Sequence, residues 1–196
     1  MRFAPGPAWP RFAAAIALAA TLAACLAGCG VAPRHHAAAA GVLPASAIAL
    51  PTVTRALSAA DVQKDASLRG LAAKLHQWGF LGGWQRTFQG ESRRLTLAVS
   101  RSLTFSRPAG ATAFVSYLDR HVDSFYPFAV TKPLTLAGQS GWLIKPPLCA
   151  CHMAEPFYVG VTAAGRQVRW LEINGPRATG GLLASLLVAQ PTVAHA

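Results

Sequence analysis

Acidic residues are scarce in this sequence: seven Asp and Glu stand against 18 Lys and Arg in 196 residues, which gives a formal net charge of +11. Charged residues of both signs make up only 13% of the chain, whereas hydrophobic residues make up 53%. A chain with so few charged residues and so many hydrophobic residues is not intrinsically disordered. Its 17 Gly and 14 Pro follow no Gly-X-Y period, which excludes a collagen-like protein. The length favours one domain with an additional segment.

The sequence also lacks the signatures of common enzymes. It has no Gly-x-Ser-x-Gly nucleophile elbow, no phosphate-binding Gly-x-x-x-x-Gly-Lys loop and no His-Glu-x-x-His motif. The basic residues are scattered along the chain and are not interleaved with aromatic residues, so nucleic acid is not an expected partner. Anionic lipids or acidic envelope polymers fit the positive charge better. The sequence therefore favours a binding module over an enzyme, although it leaves the question of catalysis open.

The first 28 residues have the features of an export signal. Arg2 and Arg11 supply its positive charge, and no charged residue follows between Phe12 and Pro33. A basic start followed by an apolar run is typical of a secretory signal peptide. The run ends in Leu26-Ala27-Gly28-Cys29, which resembles the lipobox of bacterial lipoproteins.

The lipobox resemblance implies a membrane anchor. In such proteins a diacylglyceryl group is attached to the cysteine thiol and the chain is cleaved before it, so Cys29 would become the mature N-terminus. Leu22-Ala23-Ala24-Cys25 fits the same pattern, and Cys25 is the alternative site. Acyl chains anchor a protein stably when two are present. The predicted location is the outer face of the cell membrane, and an uncleaved membrane-spanning segment is the competing interpretation.

Four segments are predicted along the chain. Residues 1–28 are the signal peptide, and residues 29–56 are the lipidated cysteine with a flexible tether rich in Ala and Pro. Residues 57–190 are a single domain, and residues 191–196 are a tail.

A capping box marks the predicted start of the domain. Ser58 is the expected N-cap, and the side chain of Asp61, the third helical residue, is expected to bond back to it. Leu57 and Val62 are expected to form a hydrophobic staple. Apolar residues at helical spacing extend this helix to Trp78. From Arg93 to Ser106 hydrophobic and polar residues alternate, with only Arg101 out of pattern on the apolar face. That alternation predicts a strand with one buried face and one polar face.

The predicted element order is α-β-β-α-β-β-β-β-α. It indicates an α+β domain in which about three helices pack on an antiparallel sheet of about six strands. The last two strands form a hairpin that turns at Gly165, and Thr179 caps the final helix. This order, together with the segment from Leu103 to Phe114, resembles the Mog1/PsbP-like domains of actinobacterial lipoproteins. The resemblance implies a binding or adaptor module without a shared active site.

A cysteine cluster is the sharpest local feature of the domain: Cys149-Ala150-Cys151-His152-Met153. Thiols outside the cytoplasm tend to oxidise, so a disulfide between Cys149 and Cys151 is predicted, in spite of the small strained ring that it closes. Alternatively, the two thiolates with His152 and Met153 are soft ligands that suit Cu(I). Unpaired or intermolecular thiols are the third possibility.

Two functional hypotheses follow from the sequence. The first is a non-enzymatic lipoprotein, without a cofactor, that binds a small ligand or a protein partner. The alternative is a redox or copper-handling protein that uses Cys149, Cys151 and His152.

Overall fold

A single antiparallel sheet organises the fold in the computed structural model, which describes residues 40–64, 71–146 and 155–193. Within those ranges the sheet has seven strands: β1 (Thr52–Leu57), β2 (Phe80–Gln89), β3 (Leu97–Phe105), β4 (Val130–Leu136), β5 (Gln139–Lys145), β6 (Phe157–Ala164) and β7 (Gln167–Asn174). They lie in the order β1-β2-β3-β7-β6-β5-β4, so β3 and β7 form its centre. Every neighbouring pair is antiparallel.

Helices cover both faces of this sheet. The described residues contain a 3₁₀ turn (Ala45–Ala47) and five α-helices: α1 (Ala59–Lys64), α2 (Ala72–Gln77), α3 (Pro108–Arg120), α4 (Val122–Phe125) and α5 (Gly180–Ala189). One core lies on the α3 side of the sheet and includes Phe105, Phe114 and Trp170. A second core lies on the α5 side and includes Phe88 and Leu187. The sheet is therefore the middle layer between two helical layers.

The predicted α+β class with an antiparallel sheet is confirmed. The sheet has one strand more than the six expected, and the described residues hold five α-helices where about three were expected. The β6–β7 hairpin turns as predicted, with Gly165 at a φ of 55°. Thr179 caps α5, since its side-chain oxygen accepts a hydrogen bond from the backbone N–H of Leu182 at 3.1 Å.

The folded region begins earlier than the sequence predicts. Val42 and Leu43, which were assigned to the tether, are 2% and 0% exposed. The Leu43 N–H donates to the Ser100 hydroxyl at 2.9 Å, and the Gln190 side chain donates to the Gly41 carbonyl at 2.8 Å. In the structure Gly41 and Leu43 are thus held against the α5 side of the sheet.

Strand β1 was also assigned to the tether, and the predicted first helix differs from the structure. All of β1 except Leu57 is exposed, so its short edge position leaves little hydrophobic pattern to detect. The predicted helix corresponds to α1 and α2, and residues 65–70 between them lie outside the described residues. The tail boundary is likewise too early, because Gln167 binds the Pro191 carbonyl and the Val193 N–H.

The polar face of β3 is buried instead of facing solvent. Ser100 is covered by the segment that contains Leu43, and the Ser102 hydroxyl accepts a hydrogen bond from the Gln167 side chain at 2.9 Å. Buried hydroxyls need such partners, and here the partners come from distant parts of the chain. The alternation of hydrophobic and polar residues in β3 predicts that its polar face is exposed to solvent, because the alternation contains no information about these distant partners.

The predicted capping box is confirmed at the start of α1. Asp61 accepts hydrogen bonds from the Ser58 N–H at 2.9 Å and from the Ser58 hydroxyl at 2.6 Å, while the Asp61 N–H donates to the Ser58 oxygen at 3.2 Å. Leu57 and Val62, the predicted staple, are both buried in the α3-side core. The hydrogen bonds from Ser58 hold the pKa of the Asp61 carboxyl below its usual value.

Replacing Asp61 with asparagine is expected to lower stability in a pH-dependent way. A carboxyl whose pKa is lower in the folded state stabilises the fold above its unfolded pKa, and this contribution disappears as the pH falls through the folded value. The difference between D61N and the parent protein should therefore be full at neutral pH and vanish in acid. Urea denaturation at a series of pH values measures it. A difference that stays constant down to the acid limit would contradict a role for the ionised carboxylate.

The part of the chain from His35 to Ala196 forms a compact unit, which we call the folded unit. It contains both cores, and a domain of about 150 residues buries roughly 68–70% of the surface that its unfolded chain exposes. We therefore expect it to fold without the residues before it. None of the helices that the structure describes has the length and apolar character needed to cross a bilayer.

Candidate functional site

The predicted site residues lie outside the described parts of the chain. Cys25 and Cys29 fall within residues 1–39, and Cys149, Cys151, His152 and Met153 fall within residues 147–154. The lipid site, the disulfide and the copper alternative thus remain predictions. Among residues 40–64, 71–146 and 155–193, no group of three or more His, Cys, Asp or Glu side chains is arranged to hold a metal ion.

The structure does show where the chain enters and leaves the segment that contains Cys149 and Cys151. β5 ends at Lys145 and β6 begins at Phe157, and the two strands are neighbours in the sheet. The segment therefore connects two adjacent strands, and it does so at the end of the sheet where β7 also ends, because Phe157 pairs with Asn174.

Polar contacts fix the C-terminal flank of this segment. The Thr96 hydroxyl lies 2.6 Å from a Glu155 carboxylate oxygen, to which it donates. The Gly175 N–H donates to the Pro156 carbonyl at 3.2 Å, and the Asn174 side-chain amide lies 3.4 Å from the carbonyls of Glu155 and Pro156. Two separate stretches of chain, at Thr96 and at Asn174 and Gly175, thus hold Glu155 and Pro156 in position.

An apolar groove lies at the same end of the sheet, on the α5 side. Its volume is about 160 Å³. Its walls come from the segment after the 3₁₀ turn and from α5, and its floor is the buried side chain of Leu95. Its lining residues are Ala47, Ile48, Ala49, Leu50, Ser92, Arg94, Leu95, Leu182 and Leu186. We call this feature the α5 groove.

The backbone at the rim of the α5 groove is held in place. The Arg94 carbonyl accepts a hydrogen bond from the Arg177 N–H at 3.1 Å, and the Arg94 N–H donates to the Ser92 hydroxyl at 3.1 Å. Gly175 packs against this loop with a φ of 152°, and a β-carbon there would lie 2.8 Å from the Arg94 carbonyl oxygen. Only glycine fits this close approach, so Gly175 helps to set the position of Arg94.

A buried ion pair occupies the other face of the sheet. Arg101 and Glu172 are 4% and 9% exposed, and an Arg101 Nη1 atom lies 2.7 Å from a Glu172 carboxylate oxygen. The same oxygen accepts a hydrogen bond from the Tyr126 hydroxyl at 3.0 Å. The Arg101 guanidinium also lies over the Trp170 ring, 5.3 Å from its centroid.

The ion pair extends into a hydrogen-bonded network toward the β1 edge. Arg101 Nε donates to the Gln85 side-chain oxygen at 3.1 Å, and Arg55 donates to the same oxygen at 3.3 Å. Gln85 in turn donates to the Thr87 hydroxyl at 3.1 Å. Because these groups bind one another, the network has the character of a structural element that fixes the relative positions of β1, β2, β3 and β7.

A second buried arginine caps the end of α5. One Arg169 nitrogen donates to the carbonyls of Leu187 and Gln190 at 3.1 and 3.0 Å, and the other terminal nitrogen binds the side chain of Gln139. A cation in this place offsets the negative end of the helix dipole. Burial lowers the pKa of the Arg169 guanidinium.

Sequence reasoning missed both the network and the groove. In the sequence Arg101 breaks the apolar face of β3, and Glu172 shares its face of β7 with Val168 and Trp170. Two opposite charges, each the only charged residue on one face of its strand, are a signal from which this pair could have been predicted. The α5 groove had no comparable signal, since its walls are half-buried apolar residues from distant segments.

The architecture defines a class, an α+β domain with an antiparallel sheet between two helical layers. No family model matches the chain, and no curated protein matches it. Among solved structures, the crystal structure of the extracellular domain of PknH from Mycobacterium tuberculosis is similar, with 13% sequence identity, a TM-score of 0.35, and coverage of 71% of this chain and 76% of that chain. At this level of similarity the likeness carries no argument.

Proposed function

We propose that this protein is an extracytoplasmic lipoprotein, anchored in the membrane through Cys29, whose folded unit binds a ligand or a protein partner without catalysing a reaction. The observation that carries the proposal is the order of features at the N-terminus: two arginines, an uncharged run and the lipobox-like Leu26-Ala27-Gly28-Cys29. These features occur together in lipoprotein signals. Stable membrane attachment then comes from the acyl chains.

The position of the folded region supports the same arrangement. Described residues begin at Ala40, so only residues 30–39 lie between Cys29 and the described part of the fold. Ten residues of extended chain span at most roughly 33–36 Å. The folded unit would thus be held close to the membrane surface. In this proposal Cys149 and Cys151 form a disulfide that closes a small ring within the β5–β6 connection.

The geometry favours binding over catalysis. The buried charged groups on the α3 side of the sheet form an ion pair and hydrogen bonds with their neighbours. Arg169 on the α5 side donates hydrogen bonds to carbonyls at the end of α5. The α5 groove, in contrast, has apolar walls and one basic residue at its rim. Ligand sites are typically concave and mostly apolar, with a small number of polar groups.

Replacing Cys29 with serine is expected to abolish lipid attachment and to leave the uncleaved precursor. The serine hydroxyl is a much weaker nucleophile than the thiol that accepts the lipid. Mass spectrometry of the membrane and soluble fractions measures the result. Cys25→Ser is the matched control and should leave lipid attachment intact. If C29S still carried lipid while C25S did not, the anchor would be Cys25; if the unsubstituted protein carried no lipid, the lipoprotein proposal would fail.

A further inference from the structure

The α5 groove combines an apolar interior with a cationic rim. Ile48, Leu182 and Leu186 are half-buried residues that pack on the α5-side core and still line the groove. Leu95 closes it from below and is buried. Two distant segments therefore present an apolar surface that the rest of the described chain leaves partly open.

The size of the groove limits what enters it. Its volume is about 160 Å³. Apolar cavities of roughly 150 Å³ stay dry and bind a molecule as small as benzene. The groove thus has room for a ring or for part of an alkyl chain, and a second chain would not fit.

The rim supplies a positive charge from a residue whose backbone is held in place. Arg94 lines the groove, and hydrogen bonds of its N–H and of its carbonyl hold its backbone. Its side chain is exposed, and in the described part of the chain no ion pair engages it. Glu91, the acid of the same loop, lines a separate depression with Arg93. Without Arg2 and Arg11 of the proposed signal peptide the chain still carries 16 Lys and Arg against 7 Asp and Glu, an excess that attracts anions to the molecule.

We propose that the α5 groove binds an anionic amphiphile with a single short alkyl chain, the chain lying between segment 47–50 and α5 and the anionic group lying at Arg94. The inference rests on the proposed function, because it names a ligand class for the binding module. Burial of the alkyl chain provides most of the affinity. The arginine selects an anionic head over a neutral one.

Octanoate and 1-octanol are matched probes for this site, since they share an alkyl chain and differ in charge. Each is titrated into the folded unit at about pH 7.5, where carboxyl groups are ionised, and binding is followed by calorimetry and by the NMR signals of the leucine methyl groups. We expect both probes to bind saturably and to shift the Leu182 and Leu186 signals, with octanoate the tighter of the two.

Two sets of variants, each with its own control, test the charged rim and the apolar interior of the groove. Arg94→Gln should weaken octanoate binding about two- to fivefold, as expected for an exposed charge pair, and leave octanol binding unchanged. Arg93→Gln, in the same loop but outside the groove, should change neither. Ala47→Phe and Leu186→Phe fill the groove from opposite walls and should abolish saturable binding of both probes. Val188→Phe, on the exposed side of α5, should have no effect.

Several outcomes would overturn the proposal. Absence of saturable octanoate binding by the unmodified unit would do so, as would binding that survives both groove-filling variants once circular dichroism has shown that they are folded. Equal loss of octanoate and octanol affinity in R94Q would refute the role of Arg94 in charge selection. None of these results bears on the lipid attached to Cys29, so the anchor and the groove are tested separately.

Discussion

Replacing Arg101 with methionine is expected to destabilise the folded unit by about 3–5 kcal/mol, because it removes one partner of a buried ion pair. The Glu172 carboxylate would stay within the α3-side layer without the guanidinium that now lies 2.7 Å away. The neutral Tyr126 hydroxyl does not replace a full positive charge. Gln85 would also lose the donor at 3.1 Å from its side-chain oxygen. Urea denaturation of the folded unit at neutral pH measures the change.

Two further variants are the controls for this measurement. Arg93→Met removes an exposed arginine from the surface and should change stability by less than about 0.5 kcal/mol. The double variant Arg101→Met with Glu172→Leu should recover a large part of the loss, because apolar residues of similar volume often replace a buried ion pair without cost. If R101M and R93M proved equally stable, the Arg101–Glu172 contact would contribute nothing measurable.

Replacing Phe114 with alanine is expected to cost about 3–5 kcal/mol, the range for removal of a buried phenylalanine ring. Phe114 is fully buried in α3, and its ring centroid lies 5.8–6.1 Å from those of Trp78, Phe105 and Trp170. Its loss would leave a cavity at the point where α2, α3 and the central strands meet. In thermal denaturation we expect the midpoint to fall by roughly 10 °C or more.

Phe128 provides the matched control for this substitution. It is 85% exposed, so Phe128→Ala removes the same ring from the surface. We expect a change within about 0.5 kcal/mol. A loss below about 1 kcal/mol for F114A would show that the α3-side core closes around the missing ring and that α3 is weakly coupled to the sheet.

Local signals in the sequence predicted much of the fold. The capping box at Ser58 and Asp61, the β6–β7 turn at Gly165 and the cap at Thr179 are each decided by residues within four positions of one another. Such features depend on short-range hydrogen bonds and backbone preferences, and a single sequence contains that information.

The features that the sequence did not predict depend on contacts between distant residues. Strand β1 has five exposed residues out of six, and its place in the sheet comes from pairing with β2 about thirty positions later. Leu43 is buried in the α5-side core and its N–H binds Ser100, and no pattern near Leu43 encodes these contacts. The α5 groove arises in the same way, since segment 47–50 and α5 are brought together only by the completed sheet.

The hydrogen bonds of Gln190 also constrain when the fold can be completed. Its side chain donates at 2.8 Å to the carbonyls of Gly41 and Arg101, residues that precede it by 149 and 89 positions. These bonds form only after Gln190 has been synthesised, and contacts between such distant residues form slowly. The Leu43–Ser100 contact needs a much shorter stretch of chain, so a newly synthesised chain makes that contact before Gln190 fixes Gly41.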